Sequence, residues 1–201
     1  MVLDKLKCFE NNVSNTITGG KIFLIVGLDT TTIYSIKLGN KDVTVMLLES
    51  TEGQEDKLDI LLAHEFTHFI RKQELKKNIF EDSIGERFIT EGIGCNYSRE
   101  IVPGKSDAEY CLVDQEKVEW VKNNIDKLQE HMIGEIDDSK LMSDFFSMNV
   151  DPNLIGMPIR TGYIYGYLKV KEYMENYHLK VKDILNIDWK KIFNDLDKVR
   201  R

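Results

Sequence analysis

The feature that most constrains this chain is the pentapeptide HEFTH, which spans His64 to His68 and fits the pattern H-E-x-x-H. Helical residues at this spacing lie on one face, so both imidazoles can reach a single metal ion. Glu65 lies about 100° around the helix from His64, where it can touch a zinc-bound water without binding the metal. The spacing therefore predicts two zinc ligands, His64 and His68, and a general base, Glu65.

The residues around this motif have the pattern of an amphipathic helix over residues 54–75. A helical wheel places both histidines on the side opposite an apolar stripe, so such a helix can bury the stripe and turn the histidines into a cleft. The stripe consists of Leu58, Leu62, Phe66, Phe69 and Ile70.

A third ligand is needed, because a catalytic zinc has three protein ligands and one open position. Glu91 follows His68 at a distance that allows a turn and a returning helix, predicted over residues 82–100. On that helix Glu91 interrupts an apolar face, where a carboxylate must be paired, protonated or bound to metal. We predict that Glu91 is the third ligand; the alternative is an exposed glutamate near a helix bend.

Three segments together resemble a known family. HEFTH is followed by TEGIG at residues 90–94 and by RTGYIYGY at residues 160–167. The chain resembles the gluzincin type of zinc metallopeptidase, and more narrowly a family of predicted bacterial Zn-dependent proteases with H-E-x-x-H, E-G and G-Y-x-x-G-Y motifs. The resemblance implies a zinc-dependent peptidase that hydrolyses peptide bonds through a zinc-activated water, with Glu65 as general base and a peptide or protein substrate.

One residue departs from the gluzincin pattern. Gluzincins often carry an acidic residue four positions after the glutamate ligand, where this chain has Cys95. The residues that orient the zinc ligands are therefore not identified by the motif. Glu86, Asp82 and Asp114 are the acidic candidates. Cys95 lies one turn after Glu91 and could line the site, but it is interpreted as a buried structural thiol.

Hydrolysis also needs a hydrogen-bond donor for the developing oxyanion. Tyr163 and Tyr167 lie one turn apart on a helix predicted over residues 161–177, and Tyr165 points elsewhere. We predict Tyr163 as the catalytic donor because it is the first tyrosine after the loop 158–162. The alternative is that these tyrosines only pack.

The predicted fold class is α+β. Strands are predicted over residues 21–27, 31–38 and 42–49, with a turn at Gly39-Asn40 between the last two. Strand 42–49 is interpreted either as a cleft edge that accepts a peptide or as a buried central strand. Residues 1–20 read as loop or turn. Further helices are predicted over 115–132, 139–148 and 181–199, the last with a break near residues 186–188.

These elements predict one zincin-like domain over residues 1–201. A small N-terminal β-sheet lobe and the active-site helix would occupy residues 1–76, and a mainly helical lobe would occupy residues 77–201.

Composition excludes several function classes. A net charge of −7 argues against non-specific binding to nucleic acid or an anionic membrane. The three cysteines have no metal-like or disulfide-like spacing. No apolar run is long enough to cross a bilayer, and charged residues interrupt residues 1–12, so we expect a cytoplasmic protein. The sequence does not indicate an oligomeric state.

Two alternatives to a general peptidase stay open at this point. One is a regulatory or binding protein that keeps the zincin scaffold without turnover, and the other is a stress-type protease that cleaves a repressor. The intact Glu65 favours catalysis, because a structural zinc needs only ligands and normally has all four positions filled by protein.

Overall fold

A computed structural model describes residues 2–14, 21–26, 32–38, 41–48, 55–77, 79, 83–146 and 156–199. The strands are β1 (Lys21–Val26), β2 (Thr32–Leu38) and β3 (Lys41–Leu48). The helices are α1 (Val2–Val13), α2 (Glu55–Leu75), α3 (Ile84–Ile101), α4 (Asp107–Cys111), α5 (Gln115–Asn123), α6 (Ile125–His131), α7 (Met142–Phe146), α8 (Thr161–Tyr177) and α9 (Trp189–Val199), with a 3-10 turn at Val181–Asp183 before α9.

The predicted α+β fold class, with a β-sheet lobe beside a helical lobe, is wrong. The described chain is mainly helical. Its two hydrophobic clusters are built by helices and the segments that join them, and no described strand residue belongs to either cluster. The N-terminal part is not a separate lobe, because Phe9 of α1 packs against Phe66 of α2 and Tyr97 of α3.

The three strands pair in the order β1-β3-β2, parallel between β1 and β3 and antiparallel between β2 and β3. β3 is therefore the central strand. Both of its edges are hydrogen-bonded, so the interpretation of residues 42–49 as a free edge for a peptide is wrong. The predicted turn at Gly39-Asn40 lies outside the described residues.

The helix predictions vary in accuracy. The predictions over 54–75 and 161–177 are confirmed by α2 and α8. The loop predicted for residues 1–20 is wrong where α1 forms. The predicted helix 115–132 is two helices, because the backbone leaves the helical region at Asn124, which has φ −124° and ψ 19°. Among the described residues, none of the helices combines the length and the hydropathy that a membrane crossing requires.

The helix α3 lies at the centre of the fold, packed between α2 and α8. It is buried on nearly every side from Ile84 to Ser98. Two of its buried polar side chains bond to neighbouring backbone: the Asn96 side-chain amide donates to the carbonyls of Gly92 and Tyr167, and the Ser98 hydroxyl donates to the carbonyl of Ile60. These buried hydrogen bonds help to hold α3 in one orientation.

The end of α2 is fixed to α3 by a fully buried ion pair. The guanidinium of Arg71 donates to the Glu86 carboxylate from Nη2 at 2.6 Å and from Nε at 2.9 Å. A second terminal nitrogen donates to the carbonyls of Leu185 and Ile187, ahead of α9. Breaking such a pair on one side leaves a buried charge, so it holds α2, α3 and the C-terminal segment in register.

The contact between α3 and α8 depends on two glycines. A Cβ added to Gly92 would lie 2.2 Å from the carbonyl oxygen of Gly166, and a Cβ added to Gly166 would lie 2.1 Å from the carbonyl oxygen of Phe88. Because both obstacles are backbone atoms, neither can move aside without separating the helices. The two glycines therefore set the distance between α3 and α8.

Replacing Gly166 by Ala is expected to destabilise the protein by about 3 kcal/mol, because the new methyl group overpacks a backbone contact. Gly104→Ala is the control, since Gly104 has φ +89° and open space around it. That control should lose only about 1 kcal/mol, the cost of a left-handed alanine. Urea denaturation of both variants measures the difference; equal losses would contradict the close contact.

Candidate metal centre

The helix α2 brings both histidines of HEFTH to one side. The His64 and His68 rings are 4.6 Å apart between centroids, in an edge-to-face arrangement. Together with Glu65 they form a group whose donor atoms all lie within 4.8 Å of one another. The opposite side of α2 is buried, with Leu62, Phe66 and Ile70 in the core, so the amphipathic pattern fixes which way the imidazoles face.

The helix α3 brings Glu91 to the same point. Its Oε2 atom lies 2.9 Å from Nε2 of His64 and 3.3 Å from Nε2 of His68. Glu91 is only 2% exposed, so its carboxylate faces the histidines rather than solvent. The alternative of an exposed glutamate near a helix bend is wrong.

These three side chains fit a zinc ion. Three donors bound at 2.0–2.2 Å in a tetrahedral arrangement lie about 3.3–3.5 Å from one another, and the two distances from the Glu91 oxygen are close to that spacing. Two imidazole nitrogens and one carboxylate oxygen are also a donor set that zinc takes in catalytic sites. His64, His68 and Glu91 are therefore able to hold the metal that the motif implies.

The second carboxylate oxygen of Glu91 is bound by Arg87. Nη2 of Arg87 lies 2.7 Å from Oε1 of Glu91, one turn earlier on α3. Burial alone would raise the pKa of Glu91, but the charges of Arg87 and His68 hold it well below its usual value. Glu91 is thus ionised, with one oxygen taken by Arg87 and the other turned to the histidines. The motifs do not point to Arg87, although its opposite charge four residues before Glu91 is a usable signal.

The helix α3 also contacts the His64 ring on its Nδ1 side. Its Nδ1 atom lies 3.7 Å from the sulfur of Cys95. A Cβ added to Gly94 would come within 2.7 Å of the same Nδ1 atom, so the ring lies directly on the α3 backbone. Burial lowers the pKa of His64, but Cys95 and Glu91 together raise it to about 10. The surroundings of this imidazole therefore favour positive charge.

Tyr163 is the tyrosine of RTGYIYGY that lies beside the histidines. Its ring is 6.4 Å from the His64 ring between centroids, and the Arg160 guanidinium lies 4.3 Å above the tyrosine ring. The charge of Glu91 and burial raise its pKa to about 12, so the phenol stays protonated. Tyr165 packs on Phe88 in the core.

Tyr167, one turn after Tyr163 on α8, has a different partner. Its hydroxyl donates to Oδ1 of Asp107 at 2.7 Å, next to Lys171. It connects α8 to α4 and has no contact with the histidines. Of the two tyrosines one turn apart, only Tyr163 faces the site.

Two of the three acidic residues predicted to orient the ligands, Glu86 and Asp114, have other partners. Glu86 is bound to Arg71 and to Lys77. Asp114 pairs with Lys117 at the start of α5. Asp82 lies outside the described residues. The atom next to His64 Nδ1 is instead the sulfur of Cys95. The position of Cys95 one turn after Glu91 is the sequence signal that points to this contact.

Comparison with known families gives an independent result. A family model described as "Predicted Zn-dependent protease (DUF2268)" matches residues 8–194. The chain belongs to this family. The match includes all three helices that form the site, α2, α3 and α8. Neither a curated protein nor a solved structure matches the chain.

The other two histidines of the chain, His131 and His178, have different surroundings. His131 lies 3.5 Å from the Asp144 carboxylate and packs on Phe145. His178 is the left-handed C-cap of α8, with φ 53°. Neither contacts the metal centre, so the histidines that the motif singles out are the ones the fold brings together.

Proposed function

We propose that the protein is a zinc peptidase that hydrolyses peptide bonds, with zinc held by His64, His68 and Glu91. The observation that carries this proposal is the single Glu91 oxygen at 2.9 and 3.3 Å from the two imidazole nitrogens. The family description supports the same class of activity. A peptide or protein is the proposed substrate, and the net charge of −7 gives no support to nucleic acid as a partner.

Zinc, when bound, would polarise the substrate carbonyl and lower the pKa of a water molecule. Glu65 then takes the proton from the attacking water and delivers it to the leaving amine. This residue adjoins His64 on α2 and is only partly buried, so it reaches the solvent side of the histidine pair. A general base needs such a position, close to the reacting atoms and open to the substrate.

Tyr163 is proposed to donate its hydroxyl hydrogen bond to the carbonyl oxygen as negative charge develops there. Glu91 and burial raise the pKa of Tyr163 to about 12, so the phenol keeps the hydrogen that it would donate. Arg87 also interacts with the Tyr163 hydroxyl while it holds Glu91. The arginine thus connects the ligand carboxylate to the proposed oxyanion donor and keeps both in place.

The alternative function is that of a regulatory protein that binds zinc but has no enzymatic turnover. It would need zinc ligands but no base. Glu65 raises the pKa of Arg87, as Glu91 and Tyr163 do, against the effect of burial. A second carboxylate at the site, beyond the ligand Glu91, favours catalysis over a purely structural metal.

Glu65→Gln is expected to lower peptide hydrolysis by roughly 10²–10⁴-fold, the contribution of a positioned general base, while zinc content is unchanged. The assay follows new N-termini in a denatured protein mixture by mass spectrometry. Glu74→Gln, an exposed change on the same helix, is the control and should keep full activity. Equal cleavage by the Glu65→Gln variant and the unmodified protein would remove the proposed mechanism.

Tyr163→Phe is expected to lower kcat roughly 10²-fold with little change in KM, because only the hydrogen bond to the developing oxyanion is lost. Tyr165→Phe is a matched control, since it removes the same hydroxyl from the same helix but on the core side. The kcat of both variants is measured with a peptide substrate identified in the N-terminus assay described above. A Tyr163→Phe variant as fast as the control would show that the phenol only packs.

A further inference from the structure

Residues of α3 contact the imidazole of His64 on several sides. Glu91 faces its Nε2 atom at 2.9 Å, Gly94 lies against the ring, and Cys95 faces its Nδ1 atom at 3.7 Å. All three residues come from one short stretch of α3, residues 91–95. The motif on α2 supplies the histidine, but α3 determines how the ring is turned.

The two nitrogens of this ring have different surroundings. Nε2 points to the Glu91 oxygen that also contacts His68, which is the side where a cation would bind. A nitrogen that binds metal uses its lone pair, so the proton of a neutral imidazole must then be on Nδ1. That N–H needs an acceptor, because it lies against α3 and away from the Glu91 oxygen.

The side chain of Cys95 is placed to accept this hydrogen. The sulfur is 1% exposed and sits at a distance usual for a hydrogen bond that involves sulfur. This sulfur and Nδ1 of His64 face each other on the side of the ring that lies against α3. Cys111, also 1% exposed, lies in the same hydrophobic cluster as Cys95.

We propose that Cys95 is a positioning residue of the metal centre, whose sulfur accepts the Nδ1 hydrogen of His64 and holds the ring with Nε2 toward the cation. This inference rests on the proposed zinc site. It gives a thiol the task that a carboxylate or a carbonyl oxygen usually performs for a metal-binding histidine. Cys95 is not itself a ligand in this arrangement, because it lies on the Nδ1 side of the ring.

The proposal is tested by zinc affinity, measured by competition with a chromophoric chelator. Cys95→Ala should bind zinc about 10- to 100-fold more weakly, the usual loss when such a partner is removed. Cys95→Ser keeps an acceptor at the same place and should recover most of that loss. Cys111→Ala removes a sulfur from the same buried cluster without touching His64, so its affinity should stay within about threefold of the unmodified protein.

Two results would overturn the positioning role. One is a Cys95→Ala variant that binds zinc as tightly as the Cys111→Ala control. The other is a Cys95→Ser variant that loses as much affinity as Cys95→Ala, since packing rather than hydrogen bonding would then be responsible.

A second measurement does not depend on whether the variants fold. In the zinc-loaded unmodified protein, ¹⁵N shifts of the His64 ring should show a protonated Nδ1 and a metal-bound Nε2. The reverse assignment would also overturn the role. Neither readout requires turnover, so failure here is distinct from failure of the peptidase proposal, which is judged by hydrolysis in the Glu65→Gln experiment.

Discussion

The rest of the structure depends on one buried negative charge. The Glu91 carboxylate is 2% exposed, and an ionised carboxylate in such a place is costly unless cations surround it. Arg87 binds one oxygen, and the imidazoles of His64 and His68 face the other. A divalent cation between the imidazoles and the carboxylate would satisfy the same need. The charge pattern around Glu91 would thus favour a metal at this position.

The helix packing turns this requirement into a defined geometry. α3 is buried between α2 and α8, and glycines bring α3 and α8 into backbone contact. The Arg71–Glu86 pair fixes the end of α2 against α3. The distances between histidines on one helix and a carboxylate on the next are fixed only when both helices have a fixed rotation and a fixed axial position. These contacts supply that restraint, and Tyr163 enters the same site from α8.

The features predictable from the sequence are those fixed by helical periodicity. The face carrying His64 and His68 follows from residue spacing within α2, and the burial of Glu91 follows from its place in an apolar stripe of α3. The fold class was mispredicted because it depends on which elements share a core. The sequence pattern shows three strands but does not show that helices build both hydrophobic clusters, or that α1 joins them. The contact of Cys95 with His64 depends on the rotation of α3 against α2, which no local pattern reveals.

If one cation is bound by two imidazoles and one carboxylate, zinc-edge X-ray absorption of the zinc-loaded protein should detect that arrangement. One zinc per chain is expected, with only nitrogen and oxygen scatterers at about 2.0–2.2 Å and outer-sphere scattering from two imidazoles. A sulfur scatterer at about 2.3 Å would contradict it, because a cysteine would then be bound where the carboxylate is placed. A protein that takes up no zinc would contradict it outright.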